Sequence, residues 1–478
     1  MIRTSGAIGT SPRRVPPPRN FEWNFASHPI QIFDAGARSY RADLDPRSKV
    51  APGIWSGPEY WVAYNGSDSN TGTSRSAPLA SAWKARQLAE ANPSAANGYS
   101  INFMPDPATG LMFLDQPSRV DNTAEAGAEA LSGTCDRPFG LICHGGRLIM
   151  GPRQRLSFSP ANEEADTWVG TSASGDVAAI YNLAQLGPFG VQSRIAKITA
   201  GVSDDTTAQA AVAAAPGDAW AQAFGSANVY VRLASGQMPS DETVLVVQAC
   251  HALRLGTADV YLAGLELIGG TAGSGAVDVR GAAARTLVFE DVGAWGQGAT
   301  DGPAQPAVGI DDMTGLAVFH RCYGYNSLGS IFSLRNTGGE VHALMIDCWG
   351  IDAGYPGASP ASYANQIVAA GDMVRLISLN TQGSYSAGAC VGGSGNSQHW
   401  DLGSMYAYDR GDLWLGPDGA IPSTGVRLEA DARYWGQDIT VGGCEISFHA
   451  SSNNAQIALR NPIEIGGRRQ GPGTIGEY

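Results

Sequence analysis

LVFEDVGAWG (287–296), AVFHRCYGYN (317–326), LMIDCWGID (344–352), LISLNTQG (376–383), DLGSMYAYD (401–409) and ITVGGCEIS (439–447) repeat one short phrase: a few alternating apolar residues, a polar or acidic residue, a small residue, then a Gly- or Asn-marked bend. Aligned on that phrase, Val292, Cys322, Cys348, Leu379, Met405 and Cys444 fall in one column, with separations of 30, 26, 31, 26 and 39 residues. A near-constant period with one long outlier predicts a coil of constant cross-section whose turns carry loops of unequal length. Each turn is expected to supply two or three strands of four to six residues, with apolar side chains stacked inward on the turns above and below. A helical solenoid would need apolar residues at i, i+3, i+4 and i+7. The apolar runs after residue 225 instead alternate and are soon broken by Gly, Asn or Asp.

Length and composition agree with an all-β solenoid. A chain of 478 residues exceeds one ordinary core, but in a solenoid each turn contacts only its neighbours, so one elongated domain takes most of it. Glycine occurs 62 times without the every-third pattern of collagen, as in a chain with very many turns. The net charge of -13 argues against nucleic acid and anionic lipid as partners, both of which demand basic patches. With Lys49, Lys84 and Lys197 the only lysines, any cationic site must be built mainly from arginine. Seven cysteines without CxxC spacing fit neither a zinc site nor a fully paired disulfide framework, and Cys322, Cys348 and Cys444 read as small buried hydrophobes. The segment Asn65–Gly72 carries one carboxylate, Asp68, and reads as a turn and not a calcium loop, so no metal or cofactor is expected. The N-terminus MIRTSGAIGTSPRRVPPPRN has no apolar stretch able to act as a signal peptide, and no segment approaches a membrane span. The expectation is a soluble cytoplasmic product that leaves the cell by another route, such as lysis.

Three zones follow. Residues 1–58, rich in Pro, Arg and Ser, read as an extended arm that orders against a partner, or alternatively as a tail along the body of its own domain. Residues 59–467 read as the solenoid, and 468–478 as a C-terminal tail. From Tyr60, YWVAYNGSDSNTGTSRSAPLASAWKARQLAEANP predicts a strand, a turn and a helix near 79–91 that covers the first turn, followed by the strand YSINFM (99–104).

WVAYNGSDSNTGTSRSAPLAS (61–81) resembles the opening of right-handed parallel β-helix proteins of the pectate-lyase-like superfamily. AVAAAPGDAWAQAFGSANVYVRLASGQMPSDETVLV (211–246) is similar to a hairpin insert of its bacterial and phage members, expected here around 211–247. TGVRLEADARYWGQDITVGGCEIS (424–447) resembles its later turns. The resemblance implies a right-handed parallel β-helix with a short N-terminal capping helix. It also implies a carbohydrate ligand, usually an acidic or decorated polysaccharide, while leaving lyases, hydrolases, epimerases and non-catalytic adhesins open.

A stack of strands makes a long face on which unequal loops form a trough for a polymer. Trp295, Tyr323, Tyr325 and Trp349 are candidates for stacking on sugar rings, and Arg321 and Arg375 for holding polar substituents. Hydrolysis needs two carboxyl groups about 5 to 9.5 Å apart, and carboxylates on neighbouring turns meet that need. The candidates are Glu290, Asp311, Asp312 and Asp347, with Asp311–Asp312 the first pair to test, since two adjacent carboxylates can share one proton. Elimination would need a base such as His320. Lyases of the resembled family use lysine or arginine, and the central turns hold no lysine, which favours hydrolysis.

Three functional classes stay open. The first is a virion-borne spike, made in the host cytoplasm, that binds and degrades a bacterial surface polysaccharide; residues 1–58 would contact other virion proteins, and the order of parts resembles homotrimeric phage tailspikes. The second is a secreted bacterial lyase or hydrolase. The third is a non-catalytic adhesin.

Overall fold

The architecture comes from a computed structural model that describes residues 12–478 apart from 116–136, 152, 163–165, 173–176, 187–191, 241–242, 249–251, 270–274, 280–282, 296–305, 312, 328, 336–337, 354–365, 387, 408–414, 417–418 and 421–422. Among the described residues, three long parallel sheets of twelve, ten and nine strands share the chain turn by turn. One turn shows the plan. Ala284–Glu290 lies in the twelve-stranded sheet, Gly293–Trp295 in the ten-stranded sheet and Val308–Asp311 in the nine-stranded sheet, and the next strand, Thr314–His320, pairs in parallel with Ala284–Glu290. Because every strand pairs with its counterpart one turn on, the fold is a parallel β-helix with three strands per turn.

Inward side chains stack in columns. One runs Tyr60, Ile101, Leu141, Leu262, Phe289, Phe319 and Met345, after which Ser378 and Asp401 interrupt it, Gly436 makes room, and Leu459 resumes it. The expected column starts correctly with Val292, Cys322 and Cys348, but the register continues it through Thr381, Ser404 and Ile439. Leu379 instead packs on the outer face, and Met405 is 47% exposed. What recurs is a one-residue bend between the first two sheets. Gly264, Asp291, Arg321, Asp347, Asn380, Gly403, Asp438 and Asn461 all sit there at positive φ, between 49° and 70°. Gly, Asn and Asp tolerate that left-handed conformation best, which explains the polar residue of the repeated phrase. Aligning apolar residues across LISLNTQG therefore missed that Asn380 is the counterpart of Asp291.

The twelve-stranded sheet is buried on both faces. Its strands are continuous apolar runs such as TLVF, LAVF and ALMI and not the alternating runs expected, because both faces are covered. The outer face is covered by the chain's own N-terminal region: Phe21, Trp23, Ile30, Ile32, Tyr40, Val50 and Ile54 pack on Val318, Leu344, Ile377, Leu379, Trp400, Leu402 and Trp435. Residues 12–58 thus form a strap along the body of their own domain, as in the alternative reading of this stretch. Residues 1–11 lie outside the described residues. Polar contacts fix the strap in register. Tyr40 N–H donates to Asn380 Oδ1 at 2.9 Å, Asn380 Nδ2 donates back to the Tyr40 carbonyl at 2.8 Å, and the Arg38 guanidinium donates to the carbonyls of Asp438, Ile439 and Asn461.

The expected hairpin insert is part of a larger body. Residues 153–248 build two small, mostly antiparallel sheets and a helix, Asp205–Ala213, whose N-terminus is closed by a reciprocal Asp204–Thr207 capping box. This body docks on the outer face of the ten-stranded sheet, with Ala179, Tyr181, Leu245 and Val247 against Ile149, Ile268, Trp295 and Tyr325. Near the start, the helix Ala82–Ala91, capped by the Ser81 hydroxyl, packs Ala82, Ala85 and Ala89 into the main core beside the first strands. At the other end, residues expected as a tail continue the coil: Arg468–Gln470 and Thr474–Glu477 pair in parallel with Ile446–Ala450 and Gln456–Arg460. No described helix is long and apolar enough to cross a membrane.

Candidate functional site

Three polar regions gather the expected site residues. The first is the corner where the twelve-stranded sheet bends into the ten-stranded one. Glu290 ends its strand and His320 is its partner one turn on, which brings His320 Nδ1 to 3.1 Å from Glu290 Oε1. The other oxygen, Oε2, accepts from the Tyr261 hydroxyl and from Arg47 Nε of the strap at 3.1 Å. These partners, His320 first, hold the Glu290 carboxyl down at about 2 against the opposing effect of burial. Such a group is a fixed anion and not a proton donor near neutrality. Beside it, Arg321 clasps Asp291 with two bonds of 2.7 and 2.6 Å and reaches His320 Nε2 at 2.9 Å. Asp347, next on the ladder of bends, accepts from Asn380 Nδ2 at 2.8 Å. Glu290, His320, Arg321 and Asp347 therefore share one corner, locked by neighbouring side chains.

Asp311 is elsewhere. It ends a strand of the nine-stranded sheet, so it faces the bend on the far side of the cross-section, with Arg335 Nε at 3.4 Å. Its expected partner Asp312 lies outside the described residues.

The second region is the outer face of the ten-stranded sheet. Trp295 is 0% exposed, stacks on Tyr325 at 5.2 Å and donates its indole N–H to Glu266 Oε2 at 3.2 Å. Glu266 is itself clasped by Arg147 at 2.6 and 2.8 Å. Tyr323 and Trp349 are half-buried and stack face to face at 4.9 Å. The rings expected to stack on sugars thus stack on one another and on the docked insert. Trp295 and Tyr325 present no open face to a ligand.

The third region is a polar cleft of about 500 Å³ lined by Glu22, Arg375, Asn396, Gln398, Asp431, Arg433, Asn453, Asn454 and Gln456. Its floor is a column of successive turns, Arg375, Gln398, Arg433 and Gln456, so it runs along the coil axis. The bends that precede these strands supply Asn396, Asp431, Asn453 and Asn454. The strap supplies the remaining wall: Glu22 N–H donates to Gln398 Oε1 at 2.7 Å, and Arg375 Nη2 donates to Glu22 Oε2 at 3.2 Å. Arg375 also holds Glu340, its Nε 2.7 Å from the carboxylate in ion-pair contact without hydrogen-bond alignment. The Arg433 guanidinium and the Gln456 amide make no side-chain bond among the described residues, which leaves their donors turned to solvent. Of the expected residues only Arg375 lines this cleft. The signal that reveals the others is the residue that opens RLISL, QHWDL, RYWGQ and QIALR, the second residue of the strand Val374–Leu379 and the first of the other three, a long polar side chain at the same register position.

No protein-family model and no curated protein matches the sequence. Among solved structures the chain is similar to a glycoside hydrolase at 10% identity, covering 87% of this chain and 97% of that one with a TM-score of 0.44. It is similar to XylC, solved in complex with xylose, at 9% identity over 86% and 70% of the two chains with a TM-score of 0.43. It is also similar to a rhamnogalacturonan lyase at 9% identity over 86% and 74% with a TM-score of 0.39. The assignment as a parallel β-helix rests on the register of the three sheets.

Proposed function

We propose that this chain binds a bacterial surface polysaccharide in the axial cleft and degrades it, working as a virion-borne spike. The observation that carries the reading is the cleft itself: a trough parallel to the coil axis, floored by Arg375, Gln398, Arg433 and Gln456 and rimmed by asparagines. Planar amide and guanidinium groups in a row are suited to the hydroxyl pairs of a chain of sugars, and a repeat spacing of roughly 4.8 Å lets successive turns address one extended polymer. The virion role rests on the order of parts, a Pro- and Arg-rich leader before a parallel β-helix. Contact with other virion proteins is assigned to residues 1–58, and three copies assemble through the flanks of the coil. A non-catalytic adhesin is the second reading, favoured by the corner carboxylates Glu290 and Asp291, both neutralised by neighbouring cations.

The test is binding to an array of bacterial capsular and exopolysaccharides. We expect specific retention by a small number of acidic or decorated polymers, and at least tenfold weaker binding by Arg433→Ala and Gln456→Ala with unchanged thermal melting. Undiminished binding by both variants would move the site off the cleft, and no binding to any polymer would remove the reading.

A further inference from the structure

We infer that Arg433 determines the specificity of the axial cleft by pairing with a single carboxylate on an otherwise neutral stretch of polysaccharide. The ligand is thus a sparsely acidic polymer and not a polyuronate with a charge on every sugar. The inference rests on the polysaccharide reading above and adds which polymers the cleft admits.

The charges in the cleft lead to this assignment. Two guanidinium groups, of Arg375 and Arg433, line it together with two carboxylates, of Glu22 and Asp431. Arg375 is already engaged. Its side chain is 7% exposed, its Nη2 donates to Glu22 Oε2 at 3.2 Å, its Nη1 donates to the Asn396 carbonyl at 3.0 Å, and its Nε lies 2.7 Å from Glu340 Oε1. With two carboxylates beside it, Arg375 offers a ligand no net positive charge. Arg433 differs: it is half-buried on the cleft floor, and no described carboxylate stands in ion-pair contact with it. Asp431, two residues earlier, accepts instead from Asn454 Nδ2 at 2.7 Å. A carboxylate that reaches Arg433 makes a charge-assisted bond, and the planar guanidinium can offer it two parallel donors.

The register sets how many such charges the cleft accepts. Arg375, Gln398, Arg433 and Gln456 stand on four successive turns. Three intervals of roughly 4.8 Å give a floor of roughly 14 Å, the length of about three sugar rings. Only a ring at the level of Arg433 meets an uncompensated cation. A polyuronate would set further carboxylates along the same trough beside Glu22 and Asp431, and like charges brought together without a counter-charge disfavour that ligand. Neutral rings instead find the amides of Asn396, Gln398, Asn453 and Gln456, which bond hydroxyls and carry no charge. The net charge of -13 adds a general repulsion of dense polyanions.

The experiment measures the affinity of the full-length protein, Arg433→Gln and Arg433→Lys for the polysaccharide retained most strongly on the array. Each is tested on the native polymer and on the polymer after carbodiimide activation and borohydride reduction, which turn every carboxylate into an alcohol. We expect the native polymer to carry no more than about one carboxylate per three sugars, one for each cleft length. The unaltered protein should bind it at least about tenfold more tightly than the reduced form, the effect of one hydrogen-bonded charge pair. Arg433→Gln should bind both forms alike, with affinity for the reduced form within about threefold of the unaltered protein, and Arg433→Lys, which keeps the charge, should retain part of the preference. Equal binding of the two forms by the unaltered protein would overturn the inference and leave the polysaccharide reading in place. So would equal losses by Arg433→Gln on both forms, because Arg433 would then bond hydroxyls, and so would strongest retention of a polyuronate or of a polymer without carboxylates. No binding to any polymer would instead remove the polysaccharide reading itself. Should Arg433→Gln melt at a lower temperature, the two polymer forms compared on the unaltered protein and on Arg433→Lys decide the matter.

Discussion

Asp401 stands, between Ser378 and Gly436, in a column that elsewhere carries Phe319, Met345 and Leu459. It is fully buried, and its carboxylate accepts from the Ser404 hydroxyl and from the Tyr406 and Tyr434 hydroxyls at 2.8 Å each. Burial pushes the carboxyl up to about 6, against the pull of those three donors. The folded protein therefore keeps a proton that the unfolded chain gives up near pH 4. Stability from this group is complete below about pH 4 and is lost as pH rises through 6. Asp401→Asn removes the titration. In urea melts, the variant should gain about 3 kcal/mol on the unaltered protein between pH 4 and pH 7.5, from a shift of about two units at 1.4 kcal/mol each. A difference that stays constant with pH would show that Asp401 does not titrate in this range. Glu290 has the opposite sign: its carboxyl is held at about 2, so its contribution is present above about pH 4.5 and is lost as pH falls toward 2. Both residues stand in the repeated phrase, but only Glu290 stood out as a candidate, because a carboxylate at the end of a strand reads as a functional group. One among inward apolar positions is visible only once the register is known.

At the scale of elements, the strap is the segment whose attachment depends on pH. Asn24 N–H donates to His342 Nε2 at 3.1 Å, which requires that nitrogen to be unprotonated. The groups facing His342 are His28 and Trp23 on the strap and Arg375 on the next strand. Burial first, then His28 and Arg375, lower the imidazole to about 4. With the strap open, burial is relieved and His28 leaves, so the same imidazole takes its proton more readily and the closed form loses stability as pH falls from below 6.5 toward 4. Hydrogen exchange should show the amide protection of residues 21–34 falling over that window while the interior strands Val341–Ile346 and Val374–Leu379 stay protected, and His342→Gln, which keeps an acceptor, should flatten the change. Equal loss of protection in strap and strands would mean global unfolding. The strap was half legible in the sequence. Its composition suggested a segment without a core of its own, and the continuous apolar runs of the twelve-stranded sheet recorded that something covers the outer face. Nothing in either stretch stated that they cover each other.

For the whole molecule, stability is expected to be local along the axis, because each turn touches only its neighbours. Ile101 lies in the second turn of the interior column, well before the turns that floor the cleft. Ile101→Ala should cost about 2 to 5 kcal/mol, typical of a large-to-small change in a packed core. Its loss of exchange protection should centre on the strands Glu59–Ala63, Tyr99–Met104 and Phe139–Cys143, and polysaccharide binding at Arg433 should be unchanged. Weakened binding with uniform loss of protection would mean that the coil unfolds as one cooperative unit.

The sequence by itself determined the parallel β-helix, the approximate period and a polar residue recurring at Asp291, Arg321 and Asp347, because a left-handed position and an inward apolar position impose residue types that recur once per turn; that the bend falls at this residue, and at Asn380, came from the structure. It also picked out Glu290, His320 and Arg321 as separate candidates, and the register then showed that they touch. The tertiary structure alone decided that residues 12–58 cover the twelve-stranded sheet, that residues 153–248 bury Trp295, and that Glu22 of the strap lines a cleft with Arg375, Arg433 and Gln456. Those contacts join segments tens to hundreds of positions apart, and they depend on which outer faces remain uncovered after the coil has formed, a property of assembled surfaces that no local pattern of residue types encodes.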